Sequence, residues 1–387
     1  MSASRLPRLD ALRSIAVLLV IGRHAHVPPD GTSPAIVRFM AAWKECGWAG
    51  VDLFFVLSGF LVSGLLFREH RRHKEIRVPN FLIRRGLKIY PAFYVYAAFA
   101  ICLAPVMHLK PSATQVAAEL LFVQNYFPGV LWEHTWSLAV EEHFYILLSF
   151  LLFLLAVRGR GRANPFRAIV PIFMAVAVAC LGLRMAHTFG PRGMYLTHLR
   201  IDSLLFGVVL SYLYEFDRTT VRAVAERHGQ WIFVAGIVIT LQTFFAPTES
   251  AWMRTAGFTT MYLAFGGIVL TSVCRDADPA KPIGIVAAAL ARVGVYSYSI
   301  YLWHRLAIDS AHVASKHLLH LPFLVEMALA VVLSVGAGLV TALLIEIPIL
   351  RLRDRIFPSR STDARSSGDR GGIRDREDPQ DLAPDGS

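Results

Sequence analysis

Charge is what this chain has least of. Asp, Glu, Lys and Arg make up 17% of its 387 residues, against about 25% in soluble domains. So few charges argue against an ordinary water-soluble fold. Cysteine is sparse as well: Cys46, Cys102, Cys180 and Cys274 are scattered with no CxxC pair, so neither a disulfide framework nor a zinc knuckle is implied. Short alternating segments of the kind a β-barrel needs are missing. No internal repeat stands out, which counts against an inverted-repeat transporter. No small-x-small cleavage site closely follows the first apolar run, so that run reads as a retained helix and not a cleaved leader.

What is present is oil. The chain is 55% hydrophobic with a mean hydropathy of +0.49. About ten apolar stretches follow one another, near 12–27, 51–67, 91–105, 137–157, 168–186, 201–214, 231–245, 257–273, 293–308 and 322–350. Half of them reach the ~17 residues that cross ~30 Å of hydrocarbon as helix, and the others come within a turn of it. The expected fold is all-α: a polytopic transmembrane helix bundle over 1–357. A polar segment, 358–387, follows and is too poor in large apolar residues to bury a core, so it reads as a disordered cytoplasmic tail.

The net charge of +11 does not point to nucleic acid, because most of it lies in loops between spans. With the N-terminus inside, the inside loops include "REHRRHKEIRVPNFLIRRGLK" (Arg68–Lys88), "RGRGRANPFR" (Arg158–Arg167) and "RLRDR" (Arg351–Arg355). The outside segment 28–50 holds only Arg38 and Lys44, and 106–136 only Lys110. Basic loops stay on the cytoplasmic side, so both termini are expected there, in a bacterial inner or plasma membrane.

Ionisable groups inside such spans are costly, and each is a site candidate unless it snorkels from a helix end. In "RSIAVLLVIGRHAH", Arg13 and His24 point within ~20° of each other and stand ~16 Å apart along the axis. Arg23 is turned away by ~100°, and snorkelling accounts for it. His24 is either a structural polar contact or a base, since imidazole exchanges protons near neutral pH. A carboxylate to orient it is expected from Glu141 or Glu142 in "HTWSLAVEEHFYILL". Those two also suit a plain helix N-terminus. Arg84, Arg85 and Lys88, in the loop before the third span, fit either inside topology or a phosphate-rich ligand. Asp52 opens the second span, where Ser58, Gly59, Ser63 and Gly64 recur at the spacing of close helix contact. Tyr301 and His304 share a helix face, where a structural hydrogen bond competes with a catalytic role. No metal-ligand spacing such as HExxH occurs, so no metal is expected.

Taken in order, "RLDALRSIAVLLVIGRHA", "GVDLFFVLSGFLVSGLL", "FLIRRGLKIYPAFY", "LFVQNYFPGVLWEHTWSLAVEEHFY", "LRIDSLLFGVVL", "YSYSIYLWH" and "IEIPILR" resemble the acyltransferase-3 family of integral membrane acyltransferases. The resemblance implies transfer of an acyl group, commonly acetyl, from cytoplasmic acyl-CoA to a hydroxyl of a carbohydrate or glycosylated acceptor. No tightly bound cofactor is implied. The family's Arg-ten-His pattern falls on Arg13 and His24, its acidic position on Glu141 with Glu142 beside it, and its basic pair on Arg85 and Lys88. Lys at the second basic position lacks the guanidinium fork. Where the family usually has Gln after the acidic position, this chain has His143. Some members carry a fused hydrolase domain; this chain looks like a stand-alone member. Asn125, Ser137 and Tyr301 are the expected oxyanion donors, with His304 and Asp52 as further substrate-side candidates. The rival class is a sugar or lipid transporter that uses the buried His, Arg and Glu as a proton relay.

Overall fold

No strand occurs among the described residues; the chain is helix, turn and irregular connection. The computed structural model describes residues 6–361 except 128, 130, 187–189, 249 and 279–281, and no side chain of 190–192. The expected tail lies outside the described residues from 362 onward. In chain order the α-helices are α1 (Pro7–Arg23), α2 (Pro34–Cys46), α3 (Ala49–His73), α4 (Val78–Leu103), α5 (Ala113–Leu120), α6 (Trp136–Arg158) and α7 (Ile169–Met185). They continue with α8 (Thr197–Phe216), α9 (Arg218–Thr240), α10 (Phe258–Asp276), α11 (Ile285–Gly294), α12 (Ser297–Ala314), α13 (Phe323–Thr341) and α14 (Ile347–Ile356).

Each of the ten apolar stretches lies mainly on helix. Among the described residues, six helical segments are long and apolar enough to cross a membrane: Pro34–His73, Val78–Leu103, Glu133–Arg158, Gly193–Phe216, Met253–Asp276 and Phe323–Ile356. The pair Ile285–Gly294 and Ser297–Leu319, bent by 76°, would make a seventh. This multi-pass architecture is coarser than the expected count of about ten. The difference has a physical cause. A helix packed inside a bundle meets protein and not lipid, so it need not be apolar all round. α1 is such a helix: Arg8, Asp10, Arg13 and Arg23 fall within its 17 residues.

The third span starts earlier than the sequence pattern suggests. Arg84, Arg85 and Lys88 lie not in a loop but on α4, which begins at Val78 with Pro79 in its first turn and runs through Pro91 to Leu103. An interior proline removes one backbone donor, yet neighbouring helices in a bundle can satisfy the freed carbonyl. Pro91 therefore does not mark the helix start. Upstream, α3 ends where Lys74 turns left-handed at φ 56°. Its last turn carries His70, Arg71, Arg72 and His73, which complement the negative end of the helix dipole.

α3 is central and packs against α1, α6, α8 and α10. Its crossing with α8 is backbone on backbone: a Cβ added at Gly59 would lie 1.9 Å from the Leu204 carbonyl oxygen. The small-residue spacing read from the sequence thus marks this crossing. Ser63 turns its hydroxyl back onto the Gly59 carbonyl at 2.6 Å, while Ser58 is directed to another use described below. Two ion pairs lie wholly inside the bundle, Arg200–Asp52 at 2.6 Å and Arg184–Asp202 at 2.8 Å. Their partners come from α8 with α3, and from α7 with α8, so charge pairing as well as small residues registers the helices around α8.

Candidate active site

Two chambers lie along the inside of the bundle. The first, about 250 Å³, is walled by α1, α3, α4, α6 and α12. Arg13, Arg68, Arg85 and Lys88 bring four cations to it, and Glu141 and Glu142 two carboxylates. Arg85 and Lys88 share one face of α4, three residues apart. The Arg85 guanidinium sits 4.7 Å over the Tyr145 ring, and its Nε is buried with no hydrogen-bond partner. Arg68, which the sequence suggested was only a topology charge, also pairs with Glu215 at 2.6 Å. Arg84 points elsewhere: it bonds Asp354 at 2.9 Å and the Phe357 carbonyl. One residue turns a helix by ~100°, which separates Arg84 from its neighbour Arg85.

The two glutamates are held by hydroxyls. Glu141 accepts from Ser58 at 3.1 Å and from Tyr145. Glu142 accepts from Tyr90 at 2.9 Å, and its second oxygen is buried without a partner. Both carboxylates face the basic chamber, and neither bonds His24.

The second chamber, about 270 Å³, holds His24 and His134. His24 caps the end of α1. Its ring centroid is 5.1 Å from that of His304 and 6.3 Å from that of His134, and those two are 5.0 Å apart. The partners set the tautomers. His134 Nε2 faces the Leu302 carbonyl at 3.3 Å and His304 Nδ1 the Tyr301 carbonyl at 2.5 Å. A carbonyl only accepts, so these nitrogens carry the hydrogens. His134 Nδ1 and His304 Nε2 keep their lone pairs, and both are buried without a partner. Arg305 Nη1 approaches His24 Nδ1 at 3.5 Å, and a guanidinium only donates. His24 Nδ1 is therefore an accepting atom. Arg305 is itself held by Asp309 at 3.1 Å. Among the described residues no three His, Cys, Asp or Glu converge on a point that would hold a metal ion.

Val51 and Tyr301 line both chambers. The Tyr301 hydroxyl donates to the His134 carbonyl at 2.5 Å, so at 2.6 Å it is the acceptor of the Ser137 hydroxyl. Neither hydroxyl is left to donate to a ligand in this arrangement. Asn125 is engaged too, with Thr197 Oγ1 at 2.9 Å and the Tyr195 carbonyl at 3.2 Å. Asp52 is fully buried against Arg200, whose guanidinium lies 3.9 Å over the Phe258 ring. His143 bonds Thr197 at 2.8 Å and ties α6 to the start of α8. The structure thus brings Arg13, Arg85, Lys88, Glu141, Glu142, Ser137 and Tyr301 to one chamber, and His24 and Tyr301 to the next. Arg305 is the residue that sequence reasoning missed, and His134 was not among its catalytic candidates. The signal was there, in "YLWHR" and "EHTW", but nothing in it tells which turn of α12 meets the end of α1.

One buried carboxyl lies outside the spans. Glu119, on α5, is 1% exposed, with the Thr135 hydroxyl as the polar group beside its carboxyl. Burial pushes its pKa up to about 8 from an ordinary 4.5. Between those values the folded chain holds a proton that the unfolded chain has released, so stability falls as pH rises through the window. Glu119→Gln is expected to flatten this slope. Its thermal midpoint in detergent should match wild type near pH 5 and exceed it at pH 8; equal midpoints at both would remove Glu119 as the cause.

Comparison with known proteins comes down on one side. The acyltransferase-domain family profile matches residues 6–346. The peptidoglycan O-acetyltransferase OatA of Listeria monocytogenes is 26% identical over 326 residues, covering 78% of this chain and 49% of that protein. The O-acetyltransferase OatA of Staphylococcus aureus is 27% identical over 327 residues, covering 77% and 50%. The chain spans about half the length of the curated relatives it matches. No solved structure matches it.

Proposed function

The chain belongs to the acyltransferase-3 family, and on that premise we propose that it moves an acyl group, acetyl by preference, from cytoplasmic acyl-CoA to a hydroxyl of a cell-envelope carbohydrate. The observation that supports this most is the pair of chambers of unlike chemistry that meet at Tyr301 and Val51. The basic chamber suits the donor. Arg85 and Lys88 hold CoA phosphates, with Arg68 and Arg13 adding positive charge, and the apolar wall of Phe54, Leu57 and Leu61 receives the pantetheine arm. The histidine chamber suits the acceptor. In this reading the bundle has ten spans with both ends cytoplasmic, and the donor enters where the basic loops cluster.

The step is a direct transfer. As the Arg305 N–H turns away from it, His24 Nδ1 takes the proton of the acceptor hydroxyl while that hydroxyl oxygen attacks the thioester carbonyl carbon. The new C–O bond forms, and the carbonyl oxygen gains charge. Arg305 stands beside His24 and offers its N–H groups to that oxyanion. The C–S bond then breaks, and the thiolate of CoA takes the proton back from His24. Glu141 and Glu142 line the donor path and hold Ser58, Tyr145 and Tyr90 in place.

The test is release of CoA thiol together with a new ester on the acceptor, from purified protein supplied with acetyl-CoA and envelope glycan. A transporter would release no thiol. Lys88→Ala should raise the apparent KM for acetyl-CoA about tenfold or more, as expected for loss of a charged phosphate contact. An unchanged KM would take Lys88 out of the donor site.

A further inference from the structure

The histidine chamber has a second chemistry beside its imidazoles. Arg23, Lys44, Arg200 and Arg305 line it, against Glu133 as its one carboxylate among the described residues. Arg200 is neutralised by Asp52 at 2.6 Å and Arg305 by Asp309 at 3.1 Å. Glu133 accepts from the Tyr195 hydroxyl at 3.2 Å. Arg23 and Lys44 make no ion pair among the described residues. The polar contact between them runs from Arg23 Nη1 to the Lys44 backbone carbonyl, at 3.5 Å.

The fold brings these two residues to one wall of the chamber. α2 docks on the end of α1 through Gly47, where an added Cβ would lie 2.5 Å from the Leu19 carbonyl oxygen and 2.6 Å from the Arg23 nitrogen. Trp43 fastens the same joint by donating to the Leu18 carbonyl at 3.1 Å. Two half-buried like charges repel, and the repulsion grows as water is excluded. An anion placed between them removes it and gains charge-assisted hydrogen bonds. Aromatic surface lies next to them: Trp48, Trp136 and Tyr195 line the same chamber, and the Trp136 and Tyr195 rings are 5.0 Å apart. Such rings offer a flat apolar face with a polar tip, which suits the C–H face of a sugar.

We propose that the acceptor is an anionic glycan, with a carboxylate or phosphate close to the hydroxyl that is acylated, and that Arg23 and Lys44 bind that anion. The proposal rests on the reading of this chamber as the acceptor site. Arg23 then selects the acceptor, and His24, the next residue in the chain, activates it.

Equilibrium binding to the full chain in lipid nanodiscs tests this without relying on turnover. Three probes are compared: a uronic-acid oligosaccharide, its carboxyl-reduced neutral counterpart, and the same neutral sugar carrying a phosphate. At least one anionic probe should bind about tenfold or more tighter than the neutral one. Whichever anion is preferred identifies the group, carboxylate or phosphate. Arg23→Gln, Lys44→Gln and the double variant should bring the preference stepwise toward unity, with elution profile and helical signal confirming the fold. Equal binding of all three probes, failure of both anionic probes to bind, or a preference that survives the double variant would overturn it. The transfer reading fails separately: anion preference with no thiol release from acetyl-CoA would sink that reading alone.

Discussion

Replacing His24 with alanine is expected to lower the rate of acyl transfer by about 10²–10⁴-fold, the usual contribution of a positioned general base. That is about 3–5 kcal/mol of barrier. The effect should fall on kcat, with little change in the KM for acetyl-CoA, because His24 lines the histidine chamber and not the basic one proposed for the donor. Arg305 stays in place through Asp309, and His134 and His304 through their backbone carbonyls. The cavity left by one imidazole at a helix end is open to the chamber, so the variant should fold. Thiol release and ester formation by the folded variant decide the point. Transfer at the wild-type rate would remove His24 from the chemistry and turn attention to the unpartnered nitrogens of His134 and His304.

Asp52→Ala is expected to cost about 3–5 kcal/mol of stability, because it strands the Arg200 charge in the interior. Asp52 is 0% exposed and Arg200 2%, and Arg200 is tied to this carboxylate at 2.6 Å. Marginal proteins rarely survive such a loss, so little folded protein should be recovered. A second change separates a structural role from a catalytic one. Removing both charges, as in Asp52→Leu with Arg200→Met, should restore much of the thermal stability, since an apolar pair of similar size often replaces a buried ion pair at little cost. If Asp52→Ala folds normally and loses only turnover, Asp52 belongs to the substrate after all.

These two predictions show where sequence reasoning reached and where it stopped. It picked out His24 and Asp52 for the same reason: both are ionisable groups in apolar runs. It had no means to tell them apart. The structure does, because Asp52 has a close cationic partner from α8 while His24 faces a chamber. The expected pairing of His24 with Glu141 or Glu142 illustrates the same limit. Both carboxylates lie on α6, within reach of Ser58, Tyr145 and Tyr90, and turn toward the basic chamber. What meets His24 comes from α12, some 280 positions along the chain. Arg84 and Arg85 make the point with adjacent residues: one ties down the end of α14, the other lines a chamber.

By itself, the sequence determined the class of the protein: a helical membrane bundle, because only helices and closed barrels satisfy backbone groups in hydrocarbon and the chain has long apolar runs in place of short alternating segments. It also determined the short register within each helix. Arg13 and His24 share a face ~16 Å apart, since helical rise and twist are local constants, and they do open onto successive chambers. Only the tertiary structure decided what each face looks at. Periodicity fixes a side chain's angle about its own helix axis, but the rotation of one helix against another is set by close contacts such as Gly59 on Leu204 and Gly47 on α1. Those contacts join residues far apart in the chain, and they turned Arg23 from a charge at a helix end into a cation on the wall of the chamber that holds the candidate base.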